Sequence, residues 1–200
     1  MMEPRNGGFA APEELRAKDF LLRPIRASDA EIDHEAVMES KAFLRIWEQT
    51  GWPQEGFNVE ANRDDLVRHE RSHAKGASFT YTVVNPELDQ CLGCVYVFPT
   101  SADLFGQAQI AATGEARWED YELAVYFWVR TSRLADGLDT SLVDALDVWF
   151  RQQWGVKRHL LLTNERVEQQ VALLKSRGRT LRFELAYSGK PAKELAYSRS

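Results

Sequence analysis

The run of nearly continuous apolar and aromatic residues at 121–129 most constrains the fold of this chain. A strand with apolar side chains on both faces belongs at the centre of a sheet whose two faces are covered. Apolar residues then recur at helical spacing over residues 138–149, Gly155 provides a helix stop, and a short apolar run follows at residues 159–163. A strand, a helix and a strand in this order predict two parallel neighbours joined by a right-handed crossover.

Pairs of strand-like segments on both sides of this unit predict antiparallel hairpins. Each pair is separated by a short turn, and the four segments are residues 78–84, 91–99, 180–187 and 194–198. A first strand is predicted from residue 20, and two helices after it begin at about residues 29 and 58. A further helix begins at about residue 167 and ends at Gly178. The first two helices are expected to end at about residues 47 and 74. The order is β-α-α-β-β-β-α-β-α-β-β, an α+β fold with a mixed, mostly antiparallel central sheet; residues 100–119 show no clear periodicity and are predicted to be a loop.

The domain organisation follows from local composition. Residues 1–18 are rich in glycine, proline and charge, and they are predicted to be a flexible leader. The remaining residues, 19–200, contain no internal repeat or low-complexity tract and are predicted to form a single domain with its own core.

The charge of the chain limits its partners and location. A net charge of −5 argues against nucleic acid or an anionic membrane as the main partner, because both require a basic surface. No apolar stretch has the length of a signal peptide core or of a membrane span. A cytoplasmic location is therefore predicted.

The only two cysteines lie in the motif Cys91-Leu-Gly-Cys94. Two cysteines exclude a disulfide framework and a four-cysteine zinc site. The motif opens a predicted strand, where residues three apart point to opposite faces, rather than a helix N-terminus, where a redox thiol is activated. We therefore expect two buried, small apolar side chains.

Residues 69–73 have the form H-E-x-x-H, which is typical of zinc peptidases when two histidines four apart on a helix chelate the metal. Such a site needs a third ligand, and Gly76 ends the predicted helix three residues after His73. Helical spacing also places His69 and His73 on one face with Leu66, where they would line a pocket or pack on the sheet. The second interpretation is favoured, no metal is expected, and a zinc hydrolase using His69, Glu70 and His73 is kept as an alternative.

Four stretches carry a resemblance to a known family: F20-L-L-R-P-I-R-A-S-D29, L92-G-C-V-Y-V97, Y121-E-L-A-V-Y-F-W-V129 and L173-L-K-S-R-G178. Together with the order of elements, they resemble the GNAT superfamily of acyl-CoA-dependent N-acetyltransferases over about residues 20–198. The resemblance implies that the parallel pair splays apart and that acetyl-CoA, the co-substrate, lies in the gap with its pyrophosphate at the N-terminus of the following helix.

The resemblance also implies a set of coenzyme-binding residues. They are Val129, Leu134, Ala135, Asp136, Gly137, Leu138, Asp139, Thr140 and Asn164. The family motif [Q/R]-x-x-G-x-[G/A] is matched at Gly137 alone, since Leu134 stands at its first position and Asp139 at its last. Asp139 is alternatively a helix N-cap, and a non-catalytic acyl-CoA or ligand-binding relative is the first alternative function.

Acyl transfer requires a base for the amine and an acid for the leaving thiolate. By the resemblance, Glu122 is the expected base, with Asp120 as a substitute. Leu174 stands where the family carries its tyrosine acid, so Tyr126 or Tyr187 is expected to replace that tyrosine.

The resemblance implies that the first two helices and their connection select the acceptor, because in the family fold they cover the other mouth of the cleft. Trp47, Trp52, His69 and His73 are the predicted contacts, which suit an amine on a small molecule or peptide. Direct attack in a ternary complex is expected, and exposed sheet edges would allow a homodimer.

Overall fold

The computed structural model describes residues 9–199. The strands are β1 (Leu15–Arg16), β2 (Leu21–Pro24), β3 (Phe79–Val84), β4 (Cys91–Pro99), β5 (Ala108–Ala112), β6 (Leu123–Val129), β7 (His159–Asn164), β8 (Arg179–Tyr187) and β9 (Glu194–Arg199). The helices are α1 (Ala30–Glu39), α2 (Lys41–Glu48), α3 (Val59–Ala74), α4 (Leu138–Gln152) and α5 (Glu168–Ser176). Within these residues, no helix combines the length and the apolar character that a bilayer crossing requires.

The nine strands form one sheet in the order β1-β2-β3-β4-β6-β7-β9-β8-β5. Strand β6 is central, as its apolar sequence predicts, and it runs parallel to β7. The other neighbouring pairs are antiparallel, so the predicted mixed, mostly antiparallel α+β sheet is confirmed. The parallel ladder extends only from Leu123 opposite His159 to Tyr126 opposite Leu162, and the two strands diverge beyond it.

The side chains of β6 alternate between two helical layers. Leu123, Val125, Phe127 and Val129 face a core to which α4 and α5 contribute. On the opposite face, Trp128 packs with residues of α1 and α2. This division leaves the face that carries Tyr126 and Trp128 as the wall of a cleft covered by the first three helices.

The predicted helix over residues 29–47 is two helices that meet at Ser40. The Ser40 hydroxyl accepts a hydrogen bond from the Thr131 N–H at 3.1 Å, so the break is fixed by a partner 91 residues away. The predicted loop at residues 100–119 also contains a strand, β5, which pairs with β8 at the edge of the sheet. The sequence around Ser40 contains no proline or glycine that would predict the break. Residues 100–119 show no clear periodicity that would predict β5.

Residues 9–18 are ordered against the core, so the prediction of a flexible leader is wrong for them. Leu15 is buried and pairs with Leu22 of β2. The Tyr81 hydroxyl donates to the Pro12 carbonyl at 2.9 Å, and Phe9 packs on the main core. The apolar side chains of Phe9 and Leu15 contact the core, so this segment packs on the domain despite its glycine and proline content. The first part of the predicted leader, residues 1–8, lies outside the described residues.

A β-bulge in β4 changes the setting of the two cysteines. Val83 of β3 pairs with Gly93, but Val84 pairs with Cys91, so Leu92 is the extra residue. The bulge turns Cys91 and Cys94 toward the same side, where both are buried with Ala36 and Trp128. The expectation that they point to opposite faces is therefore wrong.

A buried ionic cluster holds α4 to the end of the sheet that is distant from the cleft. Asp147 of α4 accepts hydrogen bonds from the Arg179 guanidinium and from His159 Nε2, the latter at 3.1 Å. Arg199 Nε lies 2.8 Å from the second Asp147 oxygen. Burial, opposed by the bond to Asp147, lowers the pKa of His159 below 6.5. The bond from His159 and the charge of Arg179 outweigh burial and lower the pKa of Asp147 below its ordinary value.

We expect the protein to lose stability as the pH falls below about 6.5. The unfolded chain then protonates His159 while the folded chain resists protonation, so acid favours unfolding. The contribution of Asp147 is lost at lower pH, as the pH falls from the ordinary carboxyl pKa through the depressed pKa of the folded state. Urea midpoints measured at pH 7.5, 6.5 and 5.5 test this, and His159→Gln, which keeps a donor for Asp147, should flatten the slope. A pH-independent midpoint, or an unchanged slope in the variant, would contradict the prediction.

Candidate active site

A cavity of about 540 Å³ lies between the sheet and the first three helices. Seven Trp, Tyr and Phe residues form much of its wall: Trp47, Trp52, Tyr96, Phe98, Tyr126, Trp128 and Tyr187. Seven acidic or basic residues also reach it: Asp33, Glu48, Asp65, Arg68, His69, Lys190 and Glu194. A cavity of this size with a few convergent polar groups is the form that small-molecule sites commonly take.

The alternation of β4 and β6 supplies the aromatic wall. Tyr96 is directly opposite Tyr126 in the antiparallel ladder, so both rings project from the same face. Trp47 of α2 closes over them, with its ring centroid 6.0 Å from Tyr96 and 6.3 Å from Tyr126. The indole of Trp128 donates to the Tyr96 hydroxyl at 3.2 Å and fixes its orientation.

A phenol, a carboxylate and an ammonium group meet at the cavity where the parallel ladder ends. The Tyr126 hydroxyl donates to Glu194 Oε2, and Lys190 Nζ donates to Glu194 Oε1 at 2.8 Å. Glu194 is only 4% exposed, although it borders the cavity. Burial and the neighbouring charge of Glu194 raise the pKa of Tyr126 well above its ordinary value. The group thus pairs a carboxylate that can accept a proton with a phenol that carries one.

Beyond Tyr126 the strands β6 and β7 leave a gap between them. Gln170 of α5 bridges it, since its Nε2 donates to the Phe127 carbonyl at 3.0 Å and its Oε1 accepts from the Thr163 hydroxyl at 2.7 Å. The Arg130 N–H bonds to β4 through the Leu92 carbonyl. Antiparallel alternation then directs the backbone N–H and C=O of Val129 away from β4 and toward the gap.

The predicted coenzyme-binding residues 134–140 lie together in the loop after β6 and the first turn of α4. Gly137, in the left-handed conformation with φ of 72°, is the N-cap of α4, so the alternative assignment of Asp139 as the N-cap is wrong. Asp139 lies in the first turn, and its Oδ1 accepts from the Thr140 N–H at 2.7 Å. One N–H of the helix end is therefore already paired with a carboxylate.

The end of α1 binds the start of the same loop. Glu39 Oε1 accepts from the Ser132 N–H at 3.0 Å, and Glu39 Oε2 accepts from Arg130 Nε at 2.5 Å. Together with the hydrogen bond from the Thr131 N–H to the Ser40 hydroxyl, these bonds fix the loop to the helices that cover the cavity.

Glu122, the expected base, lies at the other end of β6, outside the residues that line the cavity. Its Oε2 accepts hydrogen bonds from the N–H groups of Lys157 and Arg158 at 2.7 and 3.0 Å. This carboxylate therefore orders the turn before β7, and the structure does not support its assignment as the base. Asp120, its substitute, binds Arg117 in the preceding turn.

Asn164, an expected coenzyme contact, is occupied by protein partners. Its Nδ2 donates to the carbonyls of Ile46 and Trp47, both at 2.9 Å, and its Oδ1 accepts from the Arg166 N–H at 2.9 Å. The side chain thus ties the end of α2 to the end of β7, and both amide hydrogens are used. Asn164 therefore positions the end of α2, which carries Trp47 of the cavity wall.

Of the four expected acceptor contacts, Trp47, Trp52 and His69 line the cavity and His73 does not. His73 packs edge-on against Phe79 and Tyr81. Both histidines lie on the sheet-facing side of α3, as their spacing predicts, and both contact Thr80. His69 Nδ1 is hydrogen-bonded to the Thr80 hydroxyl, and His73 Nδ1 is hydrogen-bonded to the Thr80 carbonyl.

The arrangement of the two histidines does not support the zinc hydrolase interpretation. Within residues 9–199, one group of three or more histidine, cysteine or acidic side chains has its donor atoms close enough for a metal, and it contains neither histidine.

Sequence reasoning did not identify Glu194, Tyr96 or Trp128 as site residues. Glu194 enters the site through the antiparallel pairing of β9 with β7, which places it opposite Asn164. Its sequence signal is a single acidic residue at the start of a strand, followed by Leu195, Ala196 and Tyr197. Tyr96 and Trp128 share a face with Tyr126, so strand alternation could have grouped them once the register of β4 and β6 was known.

No protein-family model matches the chain, and no curated protein matches it by sequence. Several solved structures match the chain in fold. The chain is similar to RimL, a ribosomal L7/L12 alpha-N-protein acetyltransferase in complex with coenzyme A, with a TM-score of 0.66 and 16% identity over 94% of this chain and 97% of that one. A ribosomal-protein-S5-alanine acetyltransferase from Vibrio fischeri has a TM-score of 0.67 and 17% identity, over 93% of this chain and 95% of that one.

A third similar structure is the microcin C7 self-immunity acetyltransferase MccE in complex with acetyl-CoA and AMP. Its TM-score is 0.66 with 13% identity, over 94% of this chain and 97% of that one. At these identities the similarity concerns the fold. The chain has the fold of the GNAT acetyltransferases, as its strand and turn motifs predict.

Proposed function

We propose that this chain transfers an acetyl group from acetyl-CoA to an amine held in the aromatic cavity. The observation that carries the proposal is the Tyr126–Glu194–Lys190 group at the cavity, at the point where β6 and β7 separate. Acyl transfer to an amine needs a proton acceptor and a proton donor near one reacting centre, and this group supplies both. The fold similarity to acetyltransferases supports the same reaction class.

The gap between β6 and β7 is the proposed site of the acyl-carrying arm of acetyl-CoA. The backbone groups of Val129 that point toward the gap would bind amide groups of the arm and polarise the thioester carbonyl. The end of the loop before α4 and the first turn of α4 would take the pyrophosphate, because the N–H groups at a helix N-terminus and the helix dipole favour an anion there.

The proposed reaction is a direct attack in a ternary complex. An acceptor that arrives as an ammonium ion first releases one proton to solvent. Glu194 then takes a proton from the neutral amine nitrogen, directly or through water, as that nitrogen bonds to the acetyl carbonyl carbon. The carbon–sulfur bond breaks as the tetrahedral intermediate collapses, and Tyr126 donates its proton to the departing thiolate of coenzyme A. The proton on Glu194 returns to the phenolate, because the two groups are hydrogen-bonded.

The cavity suggests the kind of acceptor. Trp47 and Trp52 offer aromatic surface, and Glu48 adds negative charge to the lining, whereas Asp65 is paired with Arg68. This combination suits a cationic amine on a small molecule or at the end of a peptide. A homodimer through a sheet edge and a cytoplasmic location remain predictions.

A non-catalytic ligand-binding relative is the second candidate, favoured by two observations. Asp139 places a carboxylate in the first turn of α4, where it would repel a pyrophosphate. Gln170 already donates a hydrogen bond to the Phe127 carbonyl, which faces the gap. Both features would weaken coenzyme binding.

Calorimetric titration with acetyl-CoA and a thiol-release assay with a panel of amines separate these candidates. We expect one acetyl-CoA per chain and amine-dependent release of coenzyme A. Binding without turnover on a broad panel would favour a non-catalytic acyl-CoA-binding relative. Absence of acetyl-CoA binding would refute acetyl transfer and leave only a relative that binds another ligand.

A further inference from the structure

The two thiols and one carboxylate behind the cavity wall form a cluster that the proposed reaction does not use. Cys91 and Cys94 of β4 and Asp33 of α1 are buried, and their ligand atoms all lie within 4.8 Å of one another. Both sulfur atoms converge on a single oxygen, Asp33 Oδ1, each at 3.5 Å. The cluster exists because the bulge at Leu92 turns both cysteines toward α1.

Two distances in the cluster match the sulfur–oxygen edges of a zinc tetrahedron. Zinc bonds of about 2.3 Å to sulfur and about 2.0 Å to oxygen place sulfur and oxygen about 3.5 Å apart when the geometry is tetrahedral. The observed sulfur–oxygen distances are both 3.5 Å. Two thiolates and a carboxylate are also among the ligand types that zinc prefers.

The surroundings of Asp33 resemble the supporting shell of a metal ligand. Its second oxygen, Oδ2, accepts a hydrogen bond from Asn62 Nδ2 at 2.9 Å, and Asn62 also donates to the Ala30 carbonyl at 3.1 Å. Ligating carboxylates are commonly held in this way by a further hydrogen bond, which fixes the orientation of the free oxygen. The Asn62 side chain is itself buried, and its Oδ1 has no hydrogen-bond partner among residues 9–199.

The cluster is accessible from the cavity. Asp33, Cys94 and Asn62 all contribute to the cavity lining, so a cation has a route to the sulfur atoms. The three protein ligands leave a fourth tetrahedral position, which water or the Asn62 Oδ1 would fill. Three protein ligands with one remaining position is an arrangement that zinc sites adopt.

We propose that Cys91 Sγ, Cys94 Sγ and Asp33 Oδ1 bind one thiophilic divalent cation, Zn²⁺ or a chemical equivalent. Binding exchanges the two thiol protons for the metal: two S–H bonds break, two metal–sulfur bonds form, and two protons leave to solvent. The metal would join α1 to β4 directly behind the aromatic wall. The site is independent of acetyl transfer and stands whether or not acetyl-CoA binds.

The test uses the full chain, reduced and metal-free under anaerobic conditions, titrated with Co²⁺ and then with Zn²⁺. We expect one Co²⁺ per chain with a sulfur-to-cobalt charge-transfer band, and its displacement by one equivalent of Zn²⁺. The band should disappear in the Cys91→Ser/Cys94→Ser double variant. In Asp33→Asn, which keeps the shape of the side chain, the affinity should fall by about tenfold or more.

The His69→Gln/His73→Gln double variant is the matched control, since it removes the other motif with metal-ligand spacing and should keep the band unchanged. Retention of the band in the double serine variant would overturn the proposal, as would its loss in the histidine variant. Failure of the reduced wild-type chain to bind either metal would also overturn it. Should the wild-type chain bind no metal but lose two titratable thiols on exposure to oxidised glutathione, the cysteines form a disulfide pair and the metal assignment is wrong.

Discussion

Glu194→Gln is expected to lower kcat for amine acetylation by about 10²–10⁴-fold, which is the usual contribution of a positioned general base. The substitution keeps the size of the side chain and its hydrogen-bonding ability, but it removes the carboxylate that accepts the proton. Glu194 is 4% exposed and is held from two sides by Tyr126 and Lys190, so a water molecule has little room to replace it. The affinity for acetyl-CoA should change little, because the proposed coenzyme contacts lie on β6 and α4.

Glu184→Gln is the matched control for this experiment. Glu184 lies on the neighbouring strand β8 and forms an ion pair with Lys193, at a site where its side chain is 34% exposed. Removing that charge should leave kcat within about twofold of the wild type, since exposed pairs contribute little. Steady-state rates, a calorimetric titration with acetyl-CoA and a urea midpoint should be measured for both variants. A Glu194→Gln enzyme that is folded and retains kcat within about threefold would rule out Glu194 as the base.

The parts of the fold that follow from local sequence were predictable. The apolar run that contains β6, the helix after it and the short apolar run of β7 require a parallel pair, and the structure contains that pair. The hairpins on both sides follow from β-rich segments around polar turns, and they are observed as β3–β4 and β8–β9. These features depend on residues close together in the chain, so periodicity and turn chemistry are sufficient.

The parts that depend on distant partners were not predictable. The helix break at Ser40 is fixed by Thr131, and the bulge in β4 becomes visible only from the register with β3. Glu194 reaches the cavity through strand pairing, whereas Glu122, with an equally suitable side chain, faces a turn at the far end of its strand. The sequence favoured Glu122 as the base, and only the tertiary arrangement brings Glu194 to the cavity instead.

Gly93→Ala is expected to destabilise the protein by about 2–6 kcal/mol, the range given by backbone strain together with overpacking in a closed site. Gly93 has a φ of 148°, which side-chain-bearing residues rarely adopt. A Cβ atom built there would lie 2.1 Å from the Trp128 carbonyl oxygen and 2.8 Å from the Val129 Cα. Both atoms belong to the backbone of β6, so no side-chain rotation can relieve the contact.

The effect should be confined to this position. Gly114→Ala is the control, because Gly114 lacks a positive φ and a Cβ there would meet no atom within 4 Å. Its free energy of unfolding should stay within about 0.5 kcal/mol of the wild type. Urea unfolding curves and the soluble fraction on expression measure both variants. Against a typical total stability of about 5–15 kcal/mol, the expected loss in Gly93→Ala is large enough to be measured easily. A Gly93→Ala chain as stable as the control would show that β4 and β6 do not approach as closely as described; the bulge would then differ, and with it the convergence of Cys91 and Cys94 on Asp33.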